Sequence, residues 1–147
     1  RGVMAGSRFI GAKAHVARLK KLAGPEMVDR VGQALFYGGE MIQVDAQISI
    51  TAGAVSGKEH VPSKPGEAPN QDTGVLDGNI ETTKTAPLIV EVSSNAPYAA
   101  ALEFGTSKME ARPYMAPAYA RKRAEVTQLV RKAVDKAVRR SRSSAKD

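Results

Sequence analysis

Apolar residues recur at helical spacing over two long stretches, and these frame the chain. From Pro25 onward Val28, Val31, Leu35, Ile42 and Ala46 fall on one helix face, with Glu26 and Asp29 in the first turn where the helix dipole favours acids. From Pro117 to about residue 140, Ala120, Ala124, Val126, Leu129, Val130, Ala133, Val134, Ala137 and Val138 form a second, Ala-rich stripe. A shorter helix is expected over residues 9–23, with Ile10, Ala14, Ala17 and Leu22 inward and Lys13, Arg18, Lys20 and Lys21 outward. Gly24-Pro25 ends it, Gly suiting a C-terminal cap and Pro the first turn of the next helix. Gly38-Gly39 interrupts that second helix at about 1 kcal/mol per Gly relative to Ala, which points to close packing against another element or to a kink.

The middle of the chain reads differently. Residues 51–79 hold five Gly and three Pro beyond Thr51 and few large apolar side chains, so an extended loop is expected over 52–79, with room for a hairpin inside it. β-Branched residues then cluster over 79–85 and 88–93, broken by Ala86-Pro87, as an antiparallel pair of strands. A short helix over 98–104 closes at Gly105, and Ala111-Arg112-Pro113 connects it to the last helix. The order predicts an α+β fold: a small antiparallel sheet, with a long helix from the N-terminal half and a C-terminal helix packed on one face, plus a long loop. We expect one domain over 1–147, with mobile ends at 1–8 and 141–147.

Composition narrows the chemistry. With no Cys, disulfides and thiolate metal sites are excluded. No metal or cofactor is expected, because the carboxylates show no ligand spacing and the two histidines, His15 and His60, stand apart from any triad pattern. Gly53, Gly57 and Lys58 fall short of a phosphate-binding loop, with three residues between the glycines and Glu59 after the lysine. An enzyme is therefore not expected. No apolar run reaches membrane-spanning length and no signal-peptide pattern follows Arg1, so the reading is a soluble intracellular product whose start, lacking Met, is trimmed or recombinant.

The net charge of +7 lies wholly in residues 121–147, where ten Lys or Arg face Glu125, Asp135 and Asp147; the rest of the chain is balanced. Arg121, Lys122, Arg123, Arg131, Lys132, Lys136, Arg139, Arg140 and Arg142 could meet phosphates or an acidic protein surface. No aromatic platform accompanies them, so base-specific readout is not expected. A basic DNA-associated protein is the alternative from another class.

Taken together, the central motifs carry a resemblance. Ser63-Lys-Pro-Gly66-Glu-Ala-Pro69 precedes Asp72-Thr73-Gly74-Val-Leu76 and Asn79-Ile80. Pro97-Tyr98-Ala99 leads to Leu102-Glu103-Phe104-Gly105-Thr106, then Ala111-Arg112-Pro113-Tyr114-Met115-Ala-Pro117-Ala118. This series resembles the phage neck and tail-component family typified by gene product ten of the lambdoid phage HK ninety-seven, over residues 25–124. Asn79 stands where the family usually has Ser, Asp77 where Arg is frequent, and Tyr114 where Phe is usual.

The resemblance implies a structural virion protein, located in the neck or tail and in the host cytoplasm during assembly. It would complete the head–tail connector as a homo-oligomeric, sixfold ring. Its neighbours would be head-closure or connector proteins on one side and tail terminator or tube proteins on the other. Double-stranded DNA would pass through without sequence-specific contact, and no membrane is involved. A tail terminator capping the tube is the structural alternative. Gly74 and Gly105 are expected at positive φ, Pro113 and Pro117 at the entry to the last helix, and Thr106 in the adjoining turn. Tyr98, Phe104, Tyr114 and Met115 are expected to pin the short and last helices to the sheet. Glu103 and Arg112 are expected to pair across the Gly105 turn or between subunits, and Arg131, Lys132, Arg139 and Arg140 to meet an acidic partner.

Overall fold

A computed structural model describes residues 12–143. The expected ends at 1–8 and 144–147, and the first residues of the 9–23 helix, lie outside that range. The element order is α1 (Ala12–Leu22), α2 (Pro25–Thr51), a 3₁₀ turn (Gly57–Glu59), α3 (Val75–Gly78), β1 (Ile80–Ala86), β2 (Ile89–Ser94), α4 (Ala99–Phe104) and α5 (Met115–Ser143). This is the expected α+β fold.

Gly24 caps α2 in extended backbone and Pro25 occupies its first turn, where a missing N–H costs nothing. The Gly38-Gly39 pair is a packing device within a helix unbroken from Pro25 to Thr51. A Cβ at Gly38 would lie 2.6 Å from a methyl of Val126 on α5, and one at Gly39 2.7 Å from Thr82 and 2.8 Å from Val90 on the sheet. Two adjacent glycines therefore let α2 touch α5 with one side and the hairpin with the next. The helix-propensity cost, about 1 kcal/mol each, is offset by this close approach.

The strands pair antiparallel from Ile80↔Ser94 to Ala86↔Ile89, with a register irregularity between Lys84 and Ala86. The sheet is tied to α2 by Gln43, which donates to the Ile80 carbonyl at 2.9 Å and accepts from the Thr82 hydroxyl at 2.8 Å. Arg121 on α5 reaches Asp45 on α2 at 2.8 Å. The buried core is small: Ala46, Ile50, Leu76, Ile80, Ala96, Ala99, Tyr114 and Ala118 gather where the C-terminal half of α2 meets α3, α4 and the start of α5.

Three expectations are corrected. No hairpin forms within the loop, which folds instead around the 3₁₀ turn and α3. The last helix starts at Met115, two residues before Pro117, and continues through Ser143; Ser141, assigned to a mobile tail, is buried beside Leu22 and Met27. Ala120 and Ala124, assigned to the buried stripe, are exposed, because α5 turns Ala118, Val126 and Leu129 toward the rest of the molecule instead.

Candidate functional site

The motif region between β2 and α5 is built as a clamp. Gly105 ends α4 with φ +74°, and a Cβ there would lie 2.9 Å from both the Met109 carbonyl and the Ala111 nitrogen, so only Gly fits. Gly74 likewise takes φ +76° ahead of α3. After Gly105, Thr106 closes a tight turn. Its backbone pairs with Met109, and its hydroxyl accepts from the Lys108 and Met109 amides at 3.2 and 3.1 Å.

Glu103 and Arg112, expected to pair, are committed elsewhere. The Glu103 carboxylate accepts from the amides of Tyr114, Met115 and Ala116 at 2.9, 3.0 and 2.9 Å. The next residue, Pro117, has no amide hydrogen. The four orphan donors that open a helix are thus all accounted for, and a negative charge sits at the positive end of the dipole. The Arg112 guanidinium donates to the Ser63 carbonyl at 3.1 Å, and its own amide to the Leu102 carbonyl at 2.6 Å. The 52–79 loop is thereby fastened to the clamp, and Gly66 adds a bond to the Ala111 carbonyl at 2.9 Å.

The aromatics divide. Tyr114 is only 1 % exposed and anchors α5 in the core, with Met115 half-buried beside it. Burial pushes the Tyr114 phenol above its ordinary value; the Ser94 side chain pulls the other way and the Glu103 charge raises it further. Phe104, expected to pin the short helix, does the opposite. It is 82 % exposed, because Gly105 turns the chain away before α4 can carry the ring inward. Tyr98 is also substantially exposed and lines a cleft with Pro69, Leu76 and Leu102.

The basic residues of α5 point outward: Arg123, Arg131, Lys132, Lys136, Arg139, Arg140 and Arg142 are exposed. Arg121 is held by Asp45, and Lys122 lies 3.5 Å from Glu125. The sequence pattern alone missed a neighbour. α1 packs at the far end of α5, with Lys21 and Leu22 bordering a groove shared with Ala137, Arg140 and Ser141. Lys21 of α1 and Arg140 of α5 therefore share one basic border, and Lys13 and Lys20 are also exposed along α1. Among the described residues, no group of three or more His, Asp or Glu is placed to hold a metal ion, and no helix is long and apolar enough to cross a membrane. His60 sits 3.0 Å from the Val55 carbonyl in the loop.

The model of the HK97-gp10-like family, bacteriophage tail components, matches residues 13–105. The chain belongs to this family. The match begins within α1 and ends at Gly105, so the HK97-gp10-like part comprises α1, α2, the loop, the hairpin and α4, while the Arg112–Pro117 segment and α5 lie beyond it. As a member of the HK97-gp10-like family the chain is a component of the phage tail, and hence of the virion. Neither a curated protein nor a solved structure matches it.

Proposed function

We propose that this tail component is a non-enzymatic part of the head–tail connector: it forms a closed ring of identical copies, sixfold as the family resemblance implies, that completes the tail in the host cytoplasm and surrounds the DNA channel. The observation that carries this reading is the composite basic surface of α1 and α5. Its Lys13, Lys20, Arg131, Lys132, Lys136, Arg139 and Arg142 are solvent-facing, and positive charge of this kind suits a phosphate backbone or an acidic neighbouring ring. The clamp around Glu103 supports it, since Glu103 caps a helix, Arg112 fastens the loop and Thr106 closes a turn, all three structural tasks. Polar contacts of this kind suit a part that must keep its shape while its neighbours press on it.

The test is charge removal. Arg131→Gln, Lys132→Gln and Arg139→Gln together should leave the helical circular-dichroism signal intact and reduce head–tail joining, most visibly at low salt, where exposed charges act over about 10 Å or more before they are screened. Normal infectious particles across a salt series would overturn the proposal. Salt-dependent DNA binding by a free, non-assembling monomer would favour a DNA-associated virion protein instead.

A further inference from the structure

α2 is apolar on two opposite sides. Its inner row packs against the sheet and α5, and a second row, Tyr37, Met41, Val44 and Ile48, runs along the far side at spacings of four, three and four. At 3.6 residues per turn this row lies roughly opposite Leu35, Gly39, Ile42 and Ala46. The spacing is that of a knobs-into-holes seam. Tyr37, Val44 and Ile48 are each more than half exposed and line an open cleft of about 470 Å³. A contiguous apolar row left this exposed marks a surface that a protein partner covers.

Across the molecule lies a different apolar surface. Between the sheet and the first turns of α5 opens a groove of about 540 Å³, floored by Leu35, Gly39 and Ile42 and flanked by Val90 and Tyr119, with the exposed Phe104 at its mouth. Because its floor is the inner side of α2, it faces away from the outer row. One surface is a shallow stripe and the other a projecting ring beside a groove, so the two are unlike.

We infer that copies of this chain join head to tail, the Phe104 corner of one copy seating on the Tyr37, Met41, Val44 and Ile48 stripe of the next. This rests on the ring reading and gives it an interface: unlike patches on opposite sides of a protomer are what a heterologous, closing contact requires, whereas an isologous dimer would use one patch twice. Several charges at the two patches are already engaged: Asp45 and Lys122 beside the stripe are paired with Arg121 and Glu125, and Glu103 in the groove accepts from backbone amides. Glu40 is exposed at the stripe and has no ion-pair partner among the described residues. Arg123, one turn along α5 from Tyr119, and Lys108, four residues beyond Phe104, are exposed.

The chain has no cysteine, so engineered ones report contacts cleanly. Val44→Cys and Phe104→Cys in one chain, oxidised at high concentration, should give a ladder of covalent oligomers ending in a closed species. Each single variant alone should give none. A mixture of the two single variants should give dimer only. Homotypic cross-links in the single variants, or no ladder in the double, overturn the inference. Phe104→Asp and Val44→Asp, both at exposed positions, should each abolish assembly while circular dichroism stays unchanged; assembly that survives both also overturns it. The connector reading fails separately. A ladder from a chain that never associates with tails keeps the interface and removes the connector, whereas tail-bound rings without the 44–104 cross-link do the reverse.

Discussion

Glu103 is the side chain on which the motif region turns. One carboxylate bonded to three amides at a helix start is a cap supplied from a neighbouring element rather than from the helix's own N-cap residue. Removing a cap costs about 0.5–2 kcal/mol, and charge-assisted bonds lie at the upper end. Glu103→Ala should therefore lower the urea midpoint by an amount equivalent to about 2 kcal/mol, and Glu103→Gln by about half of that, since an amide oxygen can serve some of the donors. Arg112→Ala should be comparable if Ser63 and the loop are freed with it. Tyr114 gives a pH prediction. Its folded pKa is raised above the ordinary value of 10.0, so the native state holds the phenol proton more tightly than the unfolded chain does. The associated stability is fully present below pH 10 and is lost as pH rises through the folded value. Alkaline denaturation should steepen above about pH 10 in the parent protein and flatten in Tyr114→Phe.

At the scale of elements, the glycine pair decides how α2 meets its partners. Gly38→Ala and Gly39→Ala each gain about 1 kcal/mol of helix propensity, but each places a methyl group inside contact distance of Val126, or of Thr82 and Val90. Overpacking costs about 1–3 kcal/mol, so both variants should be net destabilised in thermal melts. Gly78→Ala, where a Cβ meets nothing within 4 Å, should be neutral or slightly stabilising. The loop is more firmly held than its Gly and Pro content suggests. Gln71 donates to the Ile50 carbonyl at 3.2 Å, Gly66 to Ala111, and Gly57 to the Asp72 carboxylate at 2.8 Å, while Ala68 packs against the core. Amide exchange should accordingly be graded along it: slowest at Gly66 and Gln71, fast at Lys58 and Glu59. Uniform fast exchange over 52–79 in the isolated chain would show that these anchors form only with a neighbour present.

For the whole molecule, the distribution of surface matters more than the core. Among the described residues the buried cluster is Tyr114 with seven Ala, Ile and Leu residues, while the outer side of α2, Phe104 and the basic residues of α1 and α5 face solvent. Such a chain is expected to be of modest stability alone and to gain from its copies, because a partner that binds only the native state shifts unfolding by mass action. Its melting temperature should rise with protein concentration in the parent and be concentration-independent in Phe104→Asp.

The period of the apolar residues determined the two long helices, and β-branched runs with Ala86-Pro87 determined the hairpin, because local backbone preference suffices for both. Gly74 and Gly105 at positive φ were legible for the same reason: no other residue adopts that backbone without cost. The motif series likewise carried the family. What the chain pattern could not decide was which groups meet. Glu103 lies next to Phe104 in sequence, and nothing local says that one turns to a helix eleven residues on while the other turns to solvent. The Tyr37, Met41, Val44 and Ile48 row looks like ordinary core in the sequence, and only the placement of the sheet and α5 on the other sides of α2 leaves it bare. The same holds for charge: the excess on the last helix was countable, but its union with α1 depends on packing between elements more than a hundred residues apart. Spacing along a chain fixes local geometry, whereas burial and partnership are properties of surfaces that exist only after folding.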